Sequence, residues 1–332
     1  MKSRIVITLS FVFMFFARGS VATPSETVLH EVNAPMTISV GNNRLYVSER
    51  TIIHVYSLPD IHFIKSFGSK GVGPGEFRYI TDVTETPSGI KVCEYGKICF
   101  SDLNFKLIRE TRTASLCSYF ASIGEGFIGT TDIAVNKERF TTINFFDSTL
   151  KTGKEIFRFK SPVQPGKDMN IIPEYPGYDT FNDTVFLNGM DGRIWVFDRN
   201  GNILRKININ TSRVKITDTF KKEYLETLKN DRKKRNFYSV FKDKITFPDY
   251  FPTIYFFLVT GNKIYVITYL QNSKGYECQV LNLEGKILKK AYLPIQFKKI
   301  RDSYPYTIKE NKFYQLVEDV ENENFVLHIS DI

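Results

Sequence analysis

The feature that most limits what this chain can become is a repeat. Apolar, β-branched runs separated by tight-turn residues recur in units of about 40–50 residues. The first unit is the clearest. Residues 36–40 read as a strand and Gly41-Asn42-Asn43 as a turn. Residues 44–48 alternate polar and apolar, as a half-buried strand does. Residues 52–57 form a third strand, Leu58-Pro59-Asp60 turns, and 62–67 form a fourth.

The second unit places strands at 80–84, 90–93, 98–101 and 106–109, with Pro87-Ser88-Gly89 as its first turn. The third reads as 116–123, 126–130, 141–146 and 155–159. The fourth holds 184–187, 193–197 and 203–207, divided by Asp191-Gly192 and Asn200-Gly201, both strong hairpin signals. The fifth has 255–259, 263–268, 277–281 and 287–292. The sixth has 306–308, 313–317 and 325–329, with a further strand near Ile295. Phe (29) and Tyr (18) are abundant while Trp is single, which suits pleated, half-buried surfaces. Six such units predict an all-β, six-bladed β-propeller. The last unit is a strand short, and residues 27–32 form a strand-like run with no unit of its own. Pairing the two ends would complete the ring and remove an exposed edge.

One segment breaks the rhythm. Between units four and five, 217–235 places Phe220, Tyr224, Leu225 and Leu228 at helical spacing, with Thr217 or Asp218 to cap the start. Asp231-Arg232-Lys233-Lys234-Arg235 would set cations at the helix end, where the dipole favours them. The apolar face is expected to cover a rim of the ring, and the basic run to be a solvated face rather than a docking surface for an anion.

The ends bound the setting. Lys2 and Arg4 precede an apolar run at 5–16, and Ser20-Val21-Ala22 is a small-x-small cleavage signature. A signal peptide at 1–22 is expected, cut before Thr23, with a retained anchor as the alternative. That leaves one propeller domain at 23–332, periplasmic or secreted, with no further run of spanning length. The leader carries Lys2, Arg4 and Arg18 and no acid, so the net charge of +9 falls by three to +6. The excess is scattered and does not indicate nucleic acid. A monomer is expected.

Among the four cysteines, Cys93 and Cys99 flank a turn at Gly96, so a cross-strand disulfide is one reading and two small buried thiols the other. There is no CxxC, and His30, His54, His62 and His328 do not form a metal motif. No GxSxG, HExxH or phosphate-cradling motif occurs. No catalytic residue and no metal ligand can be assigned.

Phe67-Gly68-Ser69-Lys70-Gly71-Val72-Gly73-Pro74-Gly75-Glu76-Phe77 resembles the inter-blade loop of NHL-type repeats. Glycines permit the turns, Pro fixes the bend, and Phe77 can plug the joint. Phe247-Pro248-Asp249-Tyr250-Phe251-Pro252 and the two strands after it resemble the fifth-blade opening of TolB-like six-bladed propellers. The resemblance implies four-stranded blades around a central channel in an exported protein. It implies no activity, because the fold hosts binding proteins, lyases and hydrolases alike.

Two functions follow as expectations. The first is a module binding a protein, peptide or saccharide at one mouth of the ring, with Glu49, Arg50, Arg78, Tyr79, Glu94 and Tyr95 as candidates. The second is a lactonase-like, metal-assisted hydrolase or lyase with a divalent cation such as calcium in the channel. Its oxygen ligands would come from Asp82, Glu49, Asp179, Asn188 and Asp191. Asp198-Arg199-Asn200-Gly201-Asn202 resembles half a calcium loop but lacks the distal Glu, and a hairpin turn is the simpler reading.

Overall fold

The computed structural model describes residues 25–112, 119–151, 153–164, 166–174 and 176–332. The expected signal peptide, its cut and Cys117 lie outside the described residues. Strand β1 spans Ser25–Leu29. The first blade follows as β2 Thr37–Val40, β3 Arg44–Ser48, β4 Ile53–Ser57 and β5 Phe63–Phe67. The second is β6 Ile80–Thr86, β7 Gly89–Glu94, β8 Lys97–Ser101 and β9 Leu107–Arg112. The third is β10 Phe120–Ile123, β11 Gly126–Val135, β12 Glu138–Phe146 and β13 Gly153–Lys160. The fourth is β14 Tyr178–Phe181, β15 Thr184–Asn188, β16 Arg193–Asp198 and β17 Ile203–Asn208. The fifth is β18 Phe256–Thr260, β19 Lys263–Asn272, β20 Gly275–Asn282 and β21 Ile287–Leu293. The sixth is β22 Tyr306–Lys309, β23 Lys312–Asp319 and β24 Asn324–Asp331, with β1 as its outer strand.

Each of these six sheets has four antiparallel strands, so the chain is a six-bladed β-propeller. β1 runs antiparallel to β24, with Ser25 opposite Ile329 and Leu29 opposite Phe325. The two ends of the described chain therefore meet in one sheet. The core is divided among the six joints between neighbouring blades. Tyr46, Val55 and Val92 fill the first joint. Ile98 and Phe127 fill the second, and Ile128 and Leu187 the third. Val196 and Ile264 fill the fourth, and Tyr265 and Phe313 the fifth. Leu29, Leu45 and Leu327 join the sixth blade to the first. Middle strands are buried on both faces, whereas outer strands expose Ile64, Ile108, Leu204 and Leu288.

The glycine-rich loop does what its composition predicts. Gly68 holds φ at +88°, and a side chain there would meet the Thr51 carbonyl. The loop folds back so that Ser69-Lys70 pairs in parallel with Glu76-Phe77. Phe77 ends 2 % exposed in the joint between blades 1 and 2.

Four expectations are corrected. The third unit's middle strands extend well beyond 130 and start before 141, forming one long hairpin with its turn at Asn136-Lys137. The fourth blade has an inner strand, β14, that has no apolar run to announce it. The segment near Ile295 joins no blade; Phe297–Lys299 and Asp302–Ser303 form a separate small hairpin. The helical insertion is two helices, α1 Asp218–Asn230 and α2 Arg235–Phe241. Thr217 caps α1 by accepting the Phe220 amide, but α1 ends at Asn230, so Arg232, Lys233 and Lys234 link the helices and Arg235 opens α2. Phe220 packs on Phe251 and Tyr224 on Phe247, and Leu228 is buried, so α1 does cover the rim.

Of the two readings of Cys93 and Cys99, the structure has the two buried thiols and not the bridge. The hairpin turns on two residues, Tyr95 and Gly96, which sets Cys93 opposite Ile98 and Cys99 opposite Val92. Adjacent positions on a strand face opposite sides. Cys93 therefore packs in the joint with blade 3 and Cys99 in the joint with blade 1. Cys99 is a thiol whose Sγ lies 3.3 Å from Glu110 Oε2.

Candidate functional site

The inner strands β2, β6, β10, β14, β18 and β22 stand round the ring axis, and a cavity of about 720 Å³ runs between them. Alternation sends successive inner-strand side chains to the joints on either side, as Phe257 and Leu258 show, and the innermost edges of these strands border the channel. Asp82 and Thr84 from β6 and Asp179 from β14 line it. So do Phe256, Leu258 and Thr260 from β18, and Tyr306 and Thr307 from β22. The rest of the wall comes from connections. Pro173 and Glu174 precede β14, Tyr255 precedes β18, and Arg301 lies in the small hairpin before β22.

A charge cluster holds one wall. Asp82 Oδ2 accepts from Thr84 Oγ1 at 2.8 Å and lies 3.7 Å from Lys91 Nζ. The Lys91 side chain is 2 % exposed and donates to the Phe120 carbonyl. Asp179 accepts the Thr180 amide at 2.8 Å and the Val259 amide at 2.7 Å. Enclosure raises the Asp179 carboxyl to about 6, the two amides opposing the rise, with Asp82 adding to it and Lys91 reducing it. Burial also lifts Glu174, against a hydrogen bond with the Asn188 side chain. Glu174 Oε1 is buried and has no hydrogen-bond partner among the described residues.

The opposite wall is aromatic and cationic. Tyr255 and Tyr269 meet edge to face at 5.2 Å, and Phe251 stacks on Tyr269 at 4.5 Å. Burial raises Tyr269 to about 12, with Arg301 opposing it, so its hydroxyl stays a donor at neutral pH. Arg301 reaches the Ile171 carbonyl at 3.4 Å and Tyr269 Oη at 3.5 Å, both at the outer limit of a hydrogen bond. A second cavity of about 370 Å³ opens beside it, lined by Phe220, Phe251, Phe297, Ile300 and the same Tyr255, Tyr269 and Arg301.

Of the five oxygen-bearing residues considered as cation ligands, three meet in the channel wall: Asp82, Asp179 and Asn188. Glu49 accepts the amides of Asn33 and Ala34 at 2.6 and 3.1 Å. Asp191 is bound to Arg193 and to Trp195 Nε1. Asp198 accepts the amides of Asn200 and Asn202, as a hairpin turn requires. Among the described residues no three His, Cys, Asp or Glu side chains gather as a metal centre would need.

The six candidate mouth residues cluster over blades 1 and 2, away from the cavity lining. Arg50 Nε donates to the Arg78 carbonyl, and the Tyr79 and Tyr95 rings lie 5.8 Å apart. Glu94 is 2 % exposed and takes Arg78 Nε at 2.9 Å and Lys97 Nζ at 3.1 Å. The sequence reading missed Glu174, Tyr255, Tyr269 and Arg301. Glu174 and Arg301 sit in connections between units, Tyr255 lies just before β18, and Tyr269 lies in β19 beyond the 263–268 run read from the sequence; only the Pro and aromatic density of 247–255 hinted at this wall.

No family model and no curated protein matches the chain. Among solved structures, the Swd1 β-propeller domain from Myceliophteria thermophila is 11 % identical, with a TM-score of 0.44, over 93 % of this chain and 100 % of its own. BamB from Moraxella catarrhalis is 12 % identical, with a TM-score of 0.41, over 92 % and 98 %. The Neurospora crassa Pan2 WD40 domain is 12 % identical, with a TM-score of 0.45, over 90 % and 89 %. No helix among the described residues is long and apolar enough to cross a membrane. The chain is similar to these solved structures in fold alone.

Proposed function

We propose that this protein is an exported binding module that takes a segment of its ligand into the central channel. The observation that carries the reading is the channel itself: about 720 Å³, walled by aromatic rings with a few convergent polar groups. Binding sites have this character, apolar and concave with sparse polar anchors. The exposed residues over blades 1 and 2 are tied into structural contacts and are the weaker candidates. Export rests on residues 1–22 and on the likeness of 67–77 and 247–266 to exported NHL-type and TolB-like propellers. Amino-terminal sequencing of protein from its native source should begin at Thr23.

The test is ligand-observed NMR with a panel of short peptides and oligosaccharides. Compounds that bind should be lost to Thr307→Trp, which fills the channel from β22. Binding that survives this substitution would move the site elsewhere.

A second reading, a calcium-assisted hydrolase or lyase, draws support from the meeting of Asp82, Asp179 and Asn188. A cation there would have to displace the Lys91 ammonium from Asp82. Calorimetric titration with calcium tests it: saturable binding lost in Asp82→Asn would favour this reading over a pure binding module.

A further inference from the structure

The guanidinium of Arg301 has no carboxylate within ion-pair distance among the described residues, although it is only half exposed and borders both cavities. The two buried lysines are matched, Lys91 with Asp82 and Lys97 with Glu94 and Glu110, and Arg44 and Arg205 spend their guanidinium donors on carbonyls at 2.7 Å. Arg301's two hydrogen bonds, at 3.4 and 3.5 Å, leave most of its five donors unspent. Its backbone is also in the left-handed region, with φ at +61° in the tight turn of the 297–303 hairpin. A bulky side chain is held there at a cost, and such strain concentrates at functional positions.

We infer that Arg301 anchors the C-terminal carboxylate of a peptide whose last side chain is large and apolar. The inference rests on the channel-binding reading above. A planar guanidinium with free donors matches a carboxylate in a bidentate fork. The pocket beside it suits an apolar side chain: Phe220, Phe251, Phe297, Ile300 and Val214 form much of its wall, with Tyr255, Tyr269 and Tyr276 presenting rings and Lys215, Thr217 and Gln271 the polar remainder. At about 370 Å³ it has room for a Phe or Leu side chain. From that corner the remainder of the peptide runs into the larger cavity. There the Glu174 carboxyl, raised by burial, and the Asp179 carboxylate offer partners for backbone amides.

The probe is the tripeptide acetyl-Ala-Ala-Phe, as the free acid and as the C-terminal carboxamide, titrated into the purified protein by calorimetry. The free acid is expected to bind at least about tenfold more tightly than the carboxamide. Arg301→Gln should bring the two to equal, weak affinity with an unchanged melting temperature, and Arg301→Lys should keep part of the preference. Acetyl-Ala-Ala-Gly, with no side chain for the pocket, should bind more weakly than the Phe peptide. Equal binding of acid and carboxamide, both lost in Thr307→Trp, would overturn the carboxylate anchor while leaving channel binding intact. A preference that survives Arg301→Gln would also overturn it. No binding of any of the peptides would overturn the peptide assignment, and oligosaccharide binding blocked by Thr307→Trp would then still uphold the channel as the site.

Discussion

Asp179 Oδ2, on the inner strand of blade 4, accepts the main-chain amide of Val259, on the inner strand of blade 5, at 2.7 Å. The bond fastens two neighbouring sheets at the channel wall, where no ladder joins them. The same enclosure that makes it effective raises the carboxyl to about 6.

That rise sets a sign for stability against pH. The folded protein holds the Asp179 proton up to about pH 6, while the unfolded chain releases it near its ordinary value of 3.8. Between these values the folded state binds more protons, so this group's contribution falls as pH rises from about 4 to 6. The loss is roughly 3 kcal/mol at most. Asp179→Asn cannot ionise, and denaturant titrations across this range should show a flatter pH dependence than the parent. Parallel curves for the two proteins would rule out a raised Asp179.

Glu94, one of the candidate mouth residues, is 2 % exposed and paired with both Arg78 and Lys97. Removing its carboxylate leaves Lys97, itself buried, with Glu110 at 3.8 Å, the Glu76 carbonyl and the face of the Phe77 ring. Breaking a buried pair on one side is strongly destabilising, whereas replacing both partners by apolar groups is much less so. Glu94→Ala is expected to cost about 3 kcal/mol in urea denaturation. The double variant Glu94→Leu/Lys97→Met should recover a large part of that loss. A Glu94→Ala protein of unchanged stability would return Glu94 to the surface candidates.

The blades were legible because their signal is local. Asp191-Gly192 and Asn200-Gly201 turn hairpins wherever they occur, and the loop ending in Phe77 carries its own glycines. The fourth blade's inner strand was not legible, because Tyr178-Asp179-Thr180-Phe181 is half-buried throughout and has no apolar run. The site shared that fate. Asp82 and Asp179 were named as oxygen donors, but they meet only because β6 and β14 are both inner strands. Arg301 belongs to a connection, and its side chain reaches the Ile171 carbonyl, 130 positions earlier. For Cys93 and Cys99 the sequence left a bridge and two buried thiols open, and the two-residue turn decides between them by setting the register one position away from a direct pair.

The outer strand of blade 6 comes from the other end of the described chain. Leu29 is 1 % exposed and packs with Leu45 and Leu327 between blades 6 and 1. Leu29→Ala should cost about 2–4 kcal/mol by the lost contacts and the cavity left behind. Deleting Ser25–Leu29 should do more, since it also bares the hydrogen-bonding edge of β24, an invitation to pair with another copy. Differential scanning calorimetry should show a lower melting temperature for both, and light scattering should show association for the deletion alone. A deletion that melts with the parent would contradict the pairing of the two ends.

Burial holds two thiols out of reach. The Cys99 and Cys278 thiols are each pushed up to about 12, chiefly by enclosure in the joints, with Glu110 adding to the first and Glu277 to the second. Alkylation proceeds through the thiolate, so both should react with iodoacetamide at pH 8 at least roughly a hundredfold more slowly in native protein than in urea. Peptide mapping by mass spectrometry under non-reducing conditions gives the rates residue by residue. The same map reports on the hairpin, because opposite faces of the second blade keep Cys93 and Cys99 apart. A peptide cross-linked between these two residues would mean that the strands pair one position out of the register in which Cys93 faces Ile98.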